Sequence, residues 1–210
     1  MSETADSSTV RVTVFSDYVC PFCYVADRRI RRLAEQVDLE VHWRPVEIHP
    51  HTPPEGMPLD QLGYPPDLWE RMMMHLGNLA AEEGIRLVER RFTTNSHKAL
   101  LVAEAARDCG PEVFDRVHQA LFFAFFTRSR NIGQVDVLRE VAAEAGMGEE
   151  AFERALIEPA YEDRLRENFV AARRLGITGV PSFVFGDHVV AGAVPLPHLL
   201  QAAREAAGAA

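Results

Sequence analysis

Hydrophobic and polar residues alternate from Val10 to Phe15 (Val-Arg-Val-Thr-Val-Phe), the period-two, β-branched pattern of a strand. Ser16-Asp17-Tyr18-Val19 interrupts it. From Pro21 the apolar positions Phe22, Val25, Ala26, Ile30, Leu33 and Val37 recur at helical spacing, which predicts a helix with Arg28, Arg29, Arg31 and Arg32 mostly on its far side. Alternation resumes from Leu39 to Trp43 and ends at Arg44-Pro45, so the opening segment reads strand, helix, strand. The passage from His49 to Pro58 is too rich in proline for helix or strand and is expected to form a linker or lid-like loop.

Beyond that loop the period is helical throughout. The first predicted helix runs from Pro66 to about Gly84, with Leu68, Met72, His75, Leu76 and Leu79 as its apolar stripe. A second, N-capped by Asn95 or Ser96, reaches Cys109; a third opens at Pro111 and lines up Phe114, Val117, Leu121, Phe122 and Phe125. Shorter ones follow at Gln134–Ala145 and Glu149–Leu156, and a last one from Pro159 to Leu175 is expected to turn Tyr161, Leu165, Phe169 and Ala172 inward. No strand pattern occurs in this block. Strands return at Ser182–Phe185 and His188–Ala191 around Gly186-Asp187, a two-residue hairpin turn, and a helix from about Pro195 to Ala206 closes the chain. The order βαβ, helical block, ββα predicts an α/β protein.

The 210 residues, 47% hydrophobic and 25% charged, suffice for a core without disulfides or structural metal. Thirty-one acidic against 22 basic residues give a net charge of -9, which repels a phosphate backbone and argues against nucleic acid as a partner. The longest apolar run, Ala120 to Phe126, is too short to cross a membrane, and residues 1 to 9 lack the basic and apolar regions of a signal peptide. A cytoplasmic protein is expected. In a reducing compartment the pair Cys20-Pro21-Phe22-Cys23 points to redox catalysis, redox sensing or metal binding rather than to a stable cross-link.

The spelling fits a helix start, with Cys20 at the N-cap, Pro21 at N1 and Cys23 at N3. Unpaired backbone N–H groups and the helix dipole then stabilise a thiolate at Cys20, which makes it the nucleophile. Cys23, one turn on and on the same face, is placed to resolve a mixed disulfide formed there. A zinc pair is the competing reading, but no second Cys-x-x-Cys exists to complete it; two ordinary small core residues is another. Cys109 reads as core. Val180-Pro181, before a strand, reads as an ordinary trans bond when taken alone.

Together the stretches Val14 to Tyr24, Trp43 to Pro50 with Pro54-Glu55-Gly56, Asn95-Ser96, and Gly176 to Val184 resemble the DsbA superfamily, and more closely its FrnE-type branch. The resemblance implies a thioredoxin fold (βαβ…ββα) interrupted by an all-helical insertion. Residues 10–60 and 176–210 would form the discontinuous thioredoxin-like domain and 61–175 the insertion. It also implies a cis Pro181 opposite the cysteines, with Val180 offering its backbone to substrate beside Pro21 and Phe22. The implied activity is thiol–disulfide exchange with protein or small-thiol substrates in a groove between the two units. No bound cofactor is implied, and glutathione enters at most as co-substrate.

Asp17 and Glu47 are candidate proton relays, against turn capping and an exposed carboxylate, and Asn95 is a candidate cleft residue or simply a cap. His49, His51 and His97 are expected to be solvated. Phe122, Phe123, Phe125 and Phe126 are groove candidates, against plain bundle core with a homodimer contact. Two departures stand out: the Pro-Phe dipeptide lacks the histidine of strongly oxidising DsbA proteins, and Ala191-Gly192-Ala193-Val194 replaces the family's Ser-Gly-Ala-Gln. Two other functions stay open. One is a glutathione-dependent isomerase or transferase similar to 2-hydroxychromene-2-carboxylate isomerase, in which Cys23 has no role; the other is a chaperone-like or biosynthesis-associated binding module.

Overall fold

A computed structural model describes residues 9–208. Strand β1 (Val10–Ser16) lies inside a four-stranded sheet of order β2-β1-β5-β6, with Val10, Val12 and Val14 buried on one face and Phe15 on the other. It runs parallel to β2 (Leu39–Pro45), from Val10 opposite Leu39 to Ser16 opposite Pro45, with helix α1 (Pro21–Ala34) as the crossover. The final hairpin adds two antiparallel strands, numbered β5 (Ser182–Phe185) and β6 (His188–Ala191) in chain order, with Val14 opposite Phe183. One face packs Val12, Val14 and Phe183 against Ala26, Ile30 and Leu33 of α1 and Leu199 and Ala203 of the C-terminal helix (Leu196–Gly208).

The intervening block holds the short strands β3 (Met57–Pro58) and β4 (Phe92–Thr93) and the helices α2 (Pro66–Glu82), α3 (His97–Asp108), α4 (Pro111–Phe126), α5 (Val135–Glu144), α6 (Glu149–Ile157) and α7 (Pro159–Arg174). The C-terminal helix is therefore α8. Against the expectation of an insertion without strands, Met57 pairs with Thr93 and Pro58 with Phe92 in a two-stranded ribbon. Two residues per strand are too few for a period-two pattern to register.

The Pro-rich passage is no free lid either. The Pro54 carbonyl accepts hydrogen bonds from Thr94, Asn131 and Gln134 at 3.1, 3.0 and 2.7 Å, which pins the loop onto the helical block. Gly133 permits this approach: a Cβ there would stand 2.6 Å from that carbonyl.

A large core joins α2 to α7 and runs on into Tyr18, Val19, Cys20, Cys23, Tyr24 and Val25, so the cysteine turn packs with the insertion. The end of α7 also lays Ala172 against Phe15 and Val184, covering the sheet's second face. Phe169, expected inside, is 53% exposed, since α7 buries Tyr161, Asn168 and Ala172 instead.

Arg29 departs from its expected place on the polar side of α1: its side chain is 1% exposed. Its Nε donates to Glu83 and Nη2 to Glu82, and Nη1 donates to the carbonyls of both Ala193 and Val194, all at 2.8 Å. Four acceptors satisfy the buried fork. It thereby ties α1 to the end of α2 and to the loop before α8.

Candidate active site

The site begins with a turn. Cys20 is the N-cap of α1, extended at φ -90° and ψ 113°, and Pro21 occupies N1, where a missing N–H costs no helical bond. The Asp17 carbonyl accepts from the Cys20 N–H at 3.2 Å, and the Cys20 carbonyl accepts from the Cys23 N–H at 3.1 Å. The Asp17 carboxylate accepts from the Val19 N–H at 3.2 Å and from the Ile48 N–H at 2.8 Å, joining this turn to the loop after β2.

The two thiols sit in unlike surroundings. Cys20, 5% exposed, lines a cleft, and its Sγ approaches the Val180 carbonyl oxygen at 3.7 Å. The Val180–Pro181 bond is cis, and the Pro181 carbonyl accepts from the Gly192 N–H at 2.8 Å. Cys23 is fully buried beneath. Burial, with a hydrogen bond and charge repulsion from Cys20, pushes the Cys23 thiol well above the usual range; the Asp17 backbone N–H and the Ser16 hydroxyl beside it pull the other way.

Burial raises the Asp17 carboxyl to about 6, against the opposing pull of the Ile48 and Val19 N–H groups and of a nearby Ser96 hydroxyl that lies outside hydrogen-bond geometry. Asp17 meets Cys23 through its backbone, while its carboxyl turns toward Ile48.

Glu47, the other candidate relay, is engaged by the start of α3. Its carboxylate accepts from Asn95 Nδ2 at 2.7 Å and meets His97 Nδ1 at 3.1 Å, and His97 Nε2 reaches Glu162 of α7 at 2.7 Å. His97 is thus a bridge rather than a solvated loop residue, and the Glu47 and Glu162 carboxylates push its imidazolium up to about 9 despite partial burial. The Asn95 carbonyl oxygen accepts the His97 N–H at 2.9 Å, so Asn95 both caps α3 and holds Glu47. It does not line the cleft.

That cleft, of about 1140 Å³, is bounded by Val19, Pro21, Phe22 and Val180 on the cysteine side and by α2 and the loop after it on the other. Of the four phenylalanines, Phe126 lines it, Phe122 and Phe125 are core, and Phe123 is 41% exposed. His49 also lines it, and burial lowers its pKa.

Residues 11–204 match the family model of the DSBA-like thioredoxin domain. The chain belongs to that family. It is 33% identical over 190 residues to the uncharacterized protein YwbO of Bacillus subtilis (strain 168), covering 88% of this chain and 91% of that one. A probable DsbA oxidoreductase from Streptomyces coelicolor superposes with a TM-score of 0.84 at 27% identity, over 95% of this chain and 90% of its own. A 2-hydroxychromene-2-carboxylate isomerase has the same fold, with a TM-score of 0.73 at 21% identity over 93% and 95% of the two chains. In this DSBA-like chain the strand-to-helix turn holds the Cys20–Cys23 pair.

Two buried polar groups escape a reading by period. Arg29 is one, its only sign being the Glu82-Glu83 doublet far along the chain. His118 is another: on the buried face of α4, its Nδ1 lies 2.8 Å from the Tyr18 hydroxyl and its Nε2 3.4 Å from buried Asp27. A polar residue between Val117 and Leu121 was the available signal.

Proposed function

We propose that this protein is a thiol–disulfide oxidoreductase of the DsbA and FrnE type that exchanges disulfides through Cys20 and Cys23 with protein or small-thiol substrates. The observation that carries the reading is the asymmetry of the pair: one thiol at a helix N-cap in a cleft beside a cis-proline, the other buried one turn below. In the reductive direction the Cys20 thiolate attacks a substrate sulfur, a mixed disulfide forms, and the first substrate thiolate departs and takes a proton. Cys23 then loses its proton, attacks Cys20 Sγ and releases the second substrate thiolate. The substrate disulfide gains two electrons and the pair becomes a disulfide; the reverse sequence oxidises a dithiol.

Val180, with Pro21 and Phe22, lines the cleft where the reacting segment would lie. Asp17 is the proposed proton relay for Cys23, its carboxyl turning from the Ile48 N–H to reach the thiol; a carboxyl near 6 both accepts and releases a proton close to neutrality. Glu47 and Asn95 act behind it as a fixed polar support.

The test is turnover of insulin or of a scrambled disulfide protein. Cys20→Ser is expected to fall to the uncatalysed rate, and Cys23→Ser to accumulate a mixed disulfide visible by mass. Full turnover by Cys23→Ser, above all in a glutathione-dependent isomerisation, would overturn the dithiol reading.

A further inference from the structure

Arg90, a half-buried cation of the cleft, has no ion-pair partner among the described residues. Arg90 lies in the loop between α2 and β4, held in place by the Val88 N–H on the Phe126 carbonyl (3.1 Å), the Thr127 hydroxyl on the Arg86 carbonyl (3.2 Å) and the Leu59 N–H on the Arg91 carbonyl (3.2 Å). Its guanidinium stacks on aromatic rings, 3.9 Å from the centroid of Phe125 and 5.0 Å from that of Phe126. Nη1 donates to the Phe92 carbonyl at 3.0 Å, whereas Nε is buried with no acceptor. Among the described residues no carboxylate reaches Arg90 within ion-pair distance. Burial lowers its pKa to about 10, the direction expected of a cation lacking an anion.

The other charged residues lining the cleft are Asp60, Glu89 and Arg91. All are exposed, and the last two stand 3.7 Å apart as a surface pair. Apolar residues share the lining: Trp69, Met72, Met73, Leu87 and Phe126 face the same space that Cys20 opens into. A fork-shaped cation seated on aromatic rings at the edge of such a cleft is suited to a carboxylate, which would supply the missing charge.

We propose that Arg90 is an anion-binding residue of the cleft, and that the substrate is a small thiol or disulfide carrying a carboxylate on an apolar or aromatic body. The substrate half rests on the thiol-exchange reading; the anion site does not, so the two are tested apart.

The first experiment uses Cys20→Ser/Cys23→Ser protein and two non-reactive probes, 2-naphthoate and the uncharged 2-naphthalenemethanol, with binding read by calorimetry and by quenching of tryptophan fluorescence. The acid is expected to bind about tenfold tighter than the alcohol. Arg90→Met should remove that preference and leave the alcohol within about twofold, and Arg90→Lys should keep part of it. Equal affinity of acid and alcohol before any change at position 90 overturns the site, whether or not the Arg90 variants fold.

The second experiment uses the unaltered cysteines and follows the absorbance of released thiol from 5,5′-dithiobis(2-nitrobenzoate) and from uncharged 2,2′-dithiodipyridine. In each, Cys20 displaces one aryl thiolate, Cys23 displaces the other, and the reagent disulfide is reduced by two electrons as the pair is oxidised. Arg90→Met is expected to slow the anionic reagent about tenfold and leave the neutral one unchanged; equal slowing of both overturns the substrate assignment. Naphthoate binding through Arg90 with no reaction of either disulfide keeps the anion site and overturns thiol exchange.

Discussion

At the scale of single residues, Asp17 joins the turn of the cysteine pair to the loop after β2 and makes stability depend on pH. Two backbone N–H groups bind its carboxylate, yet burial still raises the group from 3.8 to about 6. The folded state therefore holds the proton more tightly than the unfolded chain, and ionisation above pH 6 opposes folding. Holding the carboxyl at about 6 rather than 3.8 corresponds to about 3 kcal/mol. That penalty is present above pH 6 and fades as pH falls toward 4. Urea unfolding at pH 7.5 and pH 4 should show the wild type gaining about 3 kcal/mol relative to Asp17→Asn on acidification; a constant difference between the two proteins would remove Asp17 from this role. Cys20, Pro21 and Cys23 were legible because helix starts have a local grammar of N-cap, N1 and N3. The fate of the Glu47 carboxylate was not, since it depends on Asn95 and His97 arriving from a distant part of the chain.

At the scale of elements, β1, α1, β2, the final hairpin and the helices of the insertion could be read from period alone, within a few residues at their ends. What periodicity misses is the link made by a polar residue. Arg29 falls on a face that its neighbours mark as solvated, and only the docking of α2 gives it Glu82 and Glu83. Burial would raise the Glu83 carboxyl, but Arg29 and Arg32 together hold it below the usual range. Replacing Arg29 strands that carboxylate, 2% exposed, without its inner partner. Arg29→Met is expected to lower stability by about 3 to 5 kcal/mol in denaturant unfolding. Arg29→Lys should recover only part of this, because one ammonium cannot serve four acceptors divided between the end of α2 and the loop before α8.

At the scale of the whole molecule, the helical insertion and the thioredoxin-like sheet share the packing around α1. Trp43 lies in the sheet and Trp69 in α2, so Trp43→Phe and Trp69→Phe proteins report on each unit separately. Their fluorescence transitions in denaturant should coincide with each other and with the far-UV circular dichroism. Phe122, fully buried where α4 stacks on Tyr24, is the residue whose loss should move both midpoints together, by about 3 to 5 kcal/mol for Phe122→Ala. Two separated transitions would show the units to be independent. Among the described residues no helix is long and apolar enough to cross a membrane.

The four-way contact of Arg29 has a mechanical consequence. The same guanidinium grips the end of α2, which walls the cleft, and the carbonyls of Ala193 and Val194, next to the Gly192 whose N–H holds Pro181. Cleft width and the alignment of the Val180 carbonyl with Cys20 are thus coupled coordinates rather than separate ones. A guest bulky enough to lever α2 outward strains the same strut that holds Val180 against Cys20, so the fit of the guest and the alignment of the pair's surroundings are set at one joint.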